Sequence, residues 1–73
     1  MTNKFNVILA SNTDKENIVY EIYYGTDQFA EISNENGEQL RIEIYPPVST
    51  KYWDFYLKEL NKILQDAEIN LGF

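Results

Sequence analysis

Apolar and polar positions keep a period of two through the first 45 residues, and a helical period takes over after residue 50. "FNVILA" predicts a strand at about residues 4–10, where Phe5, Val7 and Leu9 alternate while Ile8 makes the other face apolar as well. "SNTDKEN" (11–17) reads as a polar loop. "IVYEIYY" (18–24), "QFAEIS" (28–33) and "EQLRIEIY" (38–45) predict three further strands, separated by the turns "GTD" and "ENG". "PPVST" ends the sheet, because Pro46 and Pro47 lack the N–H that a ladder needs and bias their predecessors away from helix. From Lys51 onward, Trp53, Leu57, Leu60, Leu64, Ala67 and Leu71 recur at spacings of four and three, the stripe of an amphipathic helix. Ser49 or Thr50 is the expected cap, Asp54 suits the positive end of the helix dipole, and Gly72 is the expected stop. Asp54 with Lys58, and Glu59 with Lys62, support the wet side. The order β-β-β-β-α predicts an α+β fold: a four-stranded antiparallel meander with one C-terminal helix packed on one face.

Turn chemistry converts this outline into two faces. If "ENG" is a three-residue loop closed by Gly37, Asn34 pairs with Glu38, Ile32 with Leu40 and Ala30 with Ile42, and every apolar residue lands on one side. A two-residue Asn-Gly turn would mix the faces. If "GTD" closes its hairpin in the same way, Tyr24 pairs with Gln28, Ile22 with Ala30 and Tyr20 with Ile32. The helix side then holds Ile18, Tyr20, Ile22, Tyr24, Ala30, Ile32, Leu40, Ile42 and Ile44. The other side pairs Tyr23 with Phe29 and Phe29 with Glu43, and Glu21 with Glu31 and Glu31 with Arg41, with Val19 and Tyr45 at the margins. One helix cannot cover both sides, so this second side is expected to be an open acidic and aromatic plate.

Composition sharpens the reading. A chain of 73 residues has room for one core, so residues 1–73 are expected to form a single domain. Its 44% apolar and 15% aromatic content belongs to a folded chain. Twelve acids against six bases give a net charge of −6. Residues 1–50 hold eight of those acids and three of the bases, so the acidity belongs to the sheet region. Such a surface repels phosphate backbones and anionic membranes and attracts a basic protein. No stretch approaches a membrane span and "MTNKFNVILAS" does not read as a signal peptide. The expected location is therefore the cytoplasm, and the absence of cysteine agrees with it.

Chemistry is narrowed by what is missing. Without His or Cys, the usual general base, the thiol nucleophile and most transition-metal ligands are gone. Two carboxylates, Glu21 and Glu31, would suffice for glycosidase-like work, but a flat face offers no cleft to orient a sugar or raise a pKa. Asp14 and Glu16 in "SNTDKEN" lack the EF-hand pattern. No catalytic residue, cofactor or metal site is therefore expected. Sheets that stack RNA bases on aromatics are flanked by Lys and Arg, whereas here only Arg41 stands among Glu21, Glu31 and Glu43. Protein recognition fits better, with Glu21, Glu31 and Glu43 supplying charge and Tyr23, Phe29 and Tyr45 as anchors. In "KYWDFY" (51–56), Trp53 and Leu57 read as core with Tyr56 and Ile63 at the flank, and Phe55 is expected to face water with Lys62 and Asp66. The first and fourth strands are open edges that invite strand addition by a partner or a second copy.

"FAEISNENGEQLRIEIYPP" followed by "WDFYLKELNKILQDAEINL" resembles small acidic bacterial proteins of the toxin-immunity type, which carry a short meander, an "IEIYP" strand, a Trp at the helix start and spaced leucines. The resemblance spans residues 29–71; the first strand and the loop at 11–17 have no counterpart in it. It implies a cytoplasmic inhibitor that neutralises a basic cognate toxin, often a nuclease. The expectation is thus a non-enzymatic binding protein whose partner is a basic toxin domain, with no direct nucleic-acid or membrane contact. Two other readings stand beside it: a phage- or mobile-element-encoded acidic mimic of nucleic acid, and a homodimer that packs the open faces of two sheets together.

Overall fold

A computed structural model describes residues 4–11, 18–34 and 39–71. Four strands, β1 (Phe5–Ser11), β2 (Ile18–Tyr24), β3 (Asp27–Ser33) and β4 (Arg41–Ile44), form one antiparallel sheet in sequence order, followed by one helix, α1 (Leu57–Leu71). This is the expected α+β meander with a C-terminal helix. The loop expected at 11–17, the "ENG" turn at 35–37 and the stop at Gly72 lie wholly or largely outside the described residues.

The β2–β3 hairpin follows the expected register at first, with Tyr20 opposite Ile32 and Ile22 opposite Ala30. It then departs from it. Gly25 and Thr26 alone form the turn, Tyr24 faces Asp27 and Tyr23 faces Gln28, so Phe29 is the extra residue of a β-bulge. Gly25 has φ +64°, the left-handed backbone that a two-residue hairpin turn needs at its first position. The bulge carries Phe29 to the helix side, where it is buried. Phe29 is therefore a core residue and does not stand on the second face beside Tyr23.

β4 is displaced by two residues from the expected pairing. Ala30 faces Ile44, Ile32 faces Ile42, Glu31 faces Glu43 and Ser33 faces Arg41. An even displacement keeps every side chain on its face while changing every partner.

The core lies between the sheet and the C-terminal segment. Tyr20, Ile22, Phe29, Ala30, Ile32 and Ala67 are buried, with Phe5, Val7, Leu40, Trp53, Phe55, Leu60, Ile63, Leu64 and Leu71 packed against them. The helix starts later than its apolar spacing predicts. Tyr56 closes its first turn, its carbonyl accepting the N–H groups of Glu59 and Leu60, both at 3.1 Å. Ser49 and Thr50 are not its caps and Asp54 precedes it; Glu59 supplies the acid of the first turn. Residues 53–56 precede the helix and belong to no strand or helix. Trp53 and Phe55 both turn inward. Phe55 lies 4.6 Å from Tyr24 and 4.8 Å from both Phe5 and Phe29, so it is core and does not face water. Leu57, expected on the core stripe, is exposed at the helix start.

Four hydrogen bonds tie residues 48–53 back to the sheet, one of them from the Val48 N–H to the Asp27 carboxylate at 3.2 Å. The Trp53 indole N–H donates to the Tyr45 carbonyl at 2.8 Å. The Asp27 carboxylate accepts the Ser49 N–H at 2.8 Å and the Ser49 hydroxyl at 2.9 Å. At the other end, the Asn34 amide donates to the Leu71 carbonyl at 2.9 Å, satisfying a carbonyl of the last helical turn. A helix about 10 Å across spans roughly two strands set about 4.8 Å apart. Among the described residues the outer strands are covered only in part, and Leu9, Ile42 and Ile44 are exposed on the helix side.

Candidate functional site

The face away from α1 is organised by one register line. Glu21 faces Glu31 across β2–β3, and Glu31 faces Glu43 across β3–β4. Three carboxylates thus form a row across three adjacent strands. Like charges directly opposite one another in a sheet oppose folding, so the row is a local cost that strand patterning alone does not require.

Two phenols are tied into the row. The Tyr45 hydroxyl donates to Glu31 Oε2 at 3.0 Å, and the Tyr23 hydroxyl donates to Glu21 Oε1 at 3.3 Å. Burial pushes the Tyr45 phenol up to about 12, helped by its bond to Glu31 and by the charges of Glu31, Glu43 and Glu21. The Tyr23 phenol is raised by burial, by the Glu21 charge and by its bond to Glu21. Both phenols therefore remain donors throughout the neutral range.

Five of the six expected binding residues, Glu21, Tyr23, Glu31, Glu43 and Tyr45, come together here; Phe29 does not. The face is also less open than expected. Glu31, at the centre of the row, is only 4% exposed, Ser33 is buried, and Val19 is fully buried. What remains accessible is Glu43 and Arg41, both exposed, and the half-buried Glu21, Tyr23 and Tyr45. Ile8, opposite Glu21 on β1, extends the row with an exposed apolar side chain. Its signal was the apolar residue that breaks the alternation of the first strand. Arg41 faces Ser33, not Glu31 as expected.

The arrangement suits recognition by contact. Depressions of about 230 Å³ beside the β2–β3 turn and about 250 Å³ between α1 and β4 are lined by other residues than the carboxylate row. Among the described residues no group of three metal-ligating side chains is placed to hold a metal ion. Among them, too, no helix is long and apolar enough to cross a membrane. None of the protein-family models, curated proteins or solved structures compared with the chain matches it.

Proposed function

We propose that this chain is a non-enzymatic binding protein of the immunity type, which neutralises a basic cognate toxin domain by covering its surface. The observation that carries the reading is the cross-strand row Glu21–Glu31–Glu43, with Tyr23 and Tyr45 bonded into it. A small domain keeps like charges side by side at a cost, and a cationic partner would turn that cost into attraction. Of the three expected anchors Tyr23 and Tyr45 remain and the buried Phe29 drops out: half-buried, rigid phenols contribute contact area with little entropy to lose. A nucleic-acid mimic would want acids in two rows at phosphate-like spacing, and the face carries one.

The test is affinity capture from the cells that make the chain, with wild type and with Glu21→Lys/Glu43→Lys as baits, both checked for native circular dichroism. A basic protein should be held by the wild type, released as salt rises and lost by the variant. If the wild type retains no basic protein, or the variant retains it equally well, the reading fails.

A further inference from the structure

Among the described residues no strand pairs with the outer edge of β4, and that edge carries a pattern that fits a second copy of itself. Tyr45 donates its N–H to the Phe29 carbonyl at 2.9 Å. By the alternation of an antiparallel ladder, Glu43 and Arg41 also turn their backbone groups to β3, and Ile42 and Ile44 turn theirs outward; extending the strand by one residue would add Leu40 to them. Every residue of Arg41–Ile44 is exposed, and Ile42 and Ile44 are 42% and 59% accessible although they lie on the helix side of the sheet.

We propose that two copies of this chain join edge to edge through β4, antiparallel about a two-fold axis at Ile42, giving one continuous eight-stranded sheet. In that register Ile42 faces Ile42, Leu40 faces Ile44 and Arg41 faces Glu43, with the last two pairings each made twice. The hydrogen-bonded pairs fall on Ile42 and Ile44, whose backbone groups point outward, and on Leu40 once β4 is extended by one residue. The Arg41–Glu43 pairs fall at the intervening positions, where side chains of opposed strands come closest. Charge selects this register over its neighbours. Moving the axis one residue forward sets Glu43 against Glu43, and one residue back sets Arg41 against Arg41. Moving it by half a residue would place side chains of unlike faces opposite one another.

Packing agrees with charge. The axis stands perpendicular to the sheet, so both helices remain on one side, and Leu40, Ile42 and Ile44 of the two copies merge into one apolar strip. That strip adjoins the depression of about 250 Å³ lined by Leu64 and Ala67. The opposite edge, β1, reads "FNVILAS" and offers no charged pair to set a register. Glu21 and Glu31 lie away from the seam while Glu43 belongs to both the row and the seam, so Glu21→Lys is the variant that separates the dimer from the function proposed above.

The test is sedimentation of the purified chain over a range of concentrations. Wild type should populate dimer, and Arg41→Glu and Glu43→Arg should each weaken it about tenfold or more, because each sets like charges face to face twice. Mixing the two single variants should restore a dimer, since Glu at 41 of one then faces Arg at 43 of the other. The double variant Arg41→Glu/Glu43→Arg should dimerise on its own, and Glu21→Lys, which attacks the proposed partner face, should leave the dimer intact. Wild type that stays monomeric at its solubility limit overturns the proposal, as do single variants that dimerise unchanged or a mixture that fails to reassociate.

Discussion

Gly25 and Tyr45 each carry a constraint that can be isolated. Gly25 holds φ +64°, and a Cβ added there would meet no atom within 4 Å. Gly25→Ala is therefore free of steric contact and should cost only the backbone term, about 1 kcal/mol. Asn tolerates this conformation, so Gly25→Asn should cost less; urea unfolding that ranks Asn below Ala would refute the backbone account. Tyr45 tests the carboxylate row. Its phenol titrates at about 12 in the folded chain, above the value of about 10 expected when unfolded. The native state thus holds its proton more tightly. That stabilisation is complete below pH ~10 and is lost as pH climbs toward 12. Wild type should lose stability relative to Tyr45→Phe across that interval, as measured by denaturant unfolding at each pH. A difference that stays flat would mean that neither burial nor the row holds the proton.

At the scale of elements, the strands and their faces were legible because period two survives a change of register. Ile42 and Ile44 keep their side of the sheet although both pair two residues away from expectation. What period two could not show was the bulge: strict alternation puts Phe29 on the Glu31 face, and only the extra residue turns it to the helix side. The helix start was misread for a related reason: Trp53 fits the helical spacing to Leu57 and also the extended spacing to Phe55. The apolar pair two apart in "WDF" was the available signal. Phe55→Ala should cost about 3 kcal/mol if the ring is core and under 0.5 kcal/mol if it faces water; thermal or urea unfolding decides. Asp27 joins the turn of β2–β3 to the segment before α1, a long-range contact that no local pattern announces. The Ser49 N–H and hydroxyl, with the Val48 N–H, hold its carboxyl below the usual range. A lowered folded pKa gives stability that is present above about pH 3.9 and lost as pH falls through the folded value. The stability gap between wild type and Asp27→Asn should therefore widen from pH ~2 to ~5 and then level off. A gap independent of pH would mean that the carboxylate is not engaged by residues 48–49.

At the scale of the whole molecule, charge and contact make separable demands on the proposed interface. A net charge of −6, with eight of twelve acids in residues 1–50, gives a field that reaches beyond the contact itself. The phenols and the exposed Ile8 act only once surfaces touch. Steering belongs to association, and anchoring to dissociation. For a captured basic partner, Glu21→Lys/Glu43→Lys should lower the on-rate by about tenfold or more at low salt, with the difference shrinking as salt shortens the screening length to about 8 Å at physiological strength. Tyr23→Ala should instead raise the off-rate and leave the salt dependence of association unchanged. Stopped-flow mixing at several ionic strengths reads both rates. If Tyr23→Ala changed only the on-rate, or the charge variant only the off-rate, the division of labour on this face would be the reverse of the one argued. A partner bound with no salt dependence at all would mean that the carboxylate row faces something other than a cation.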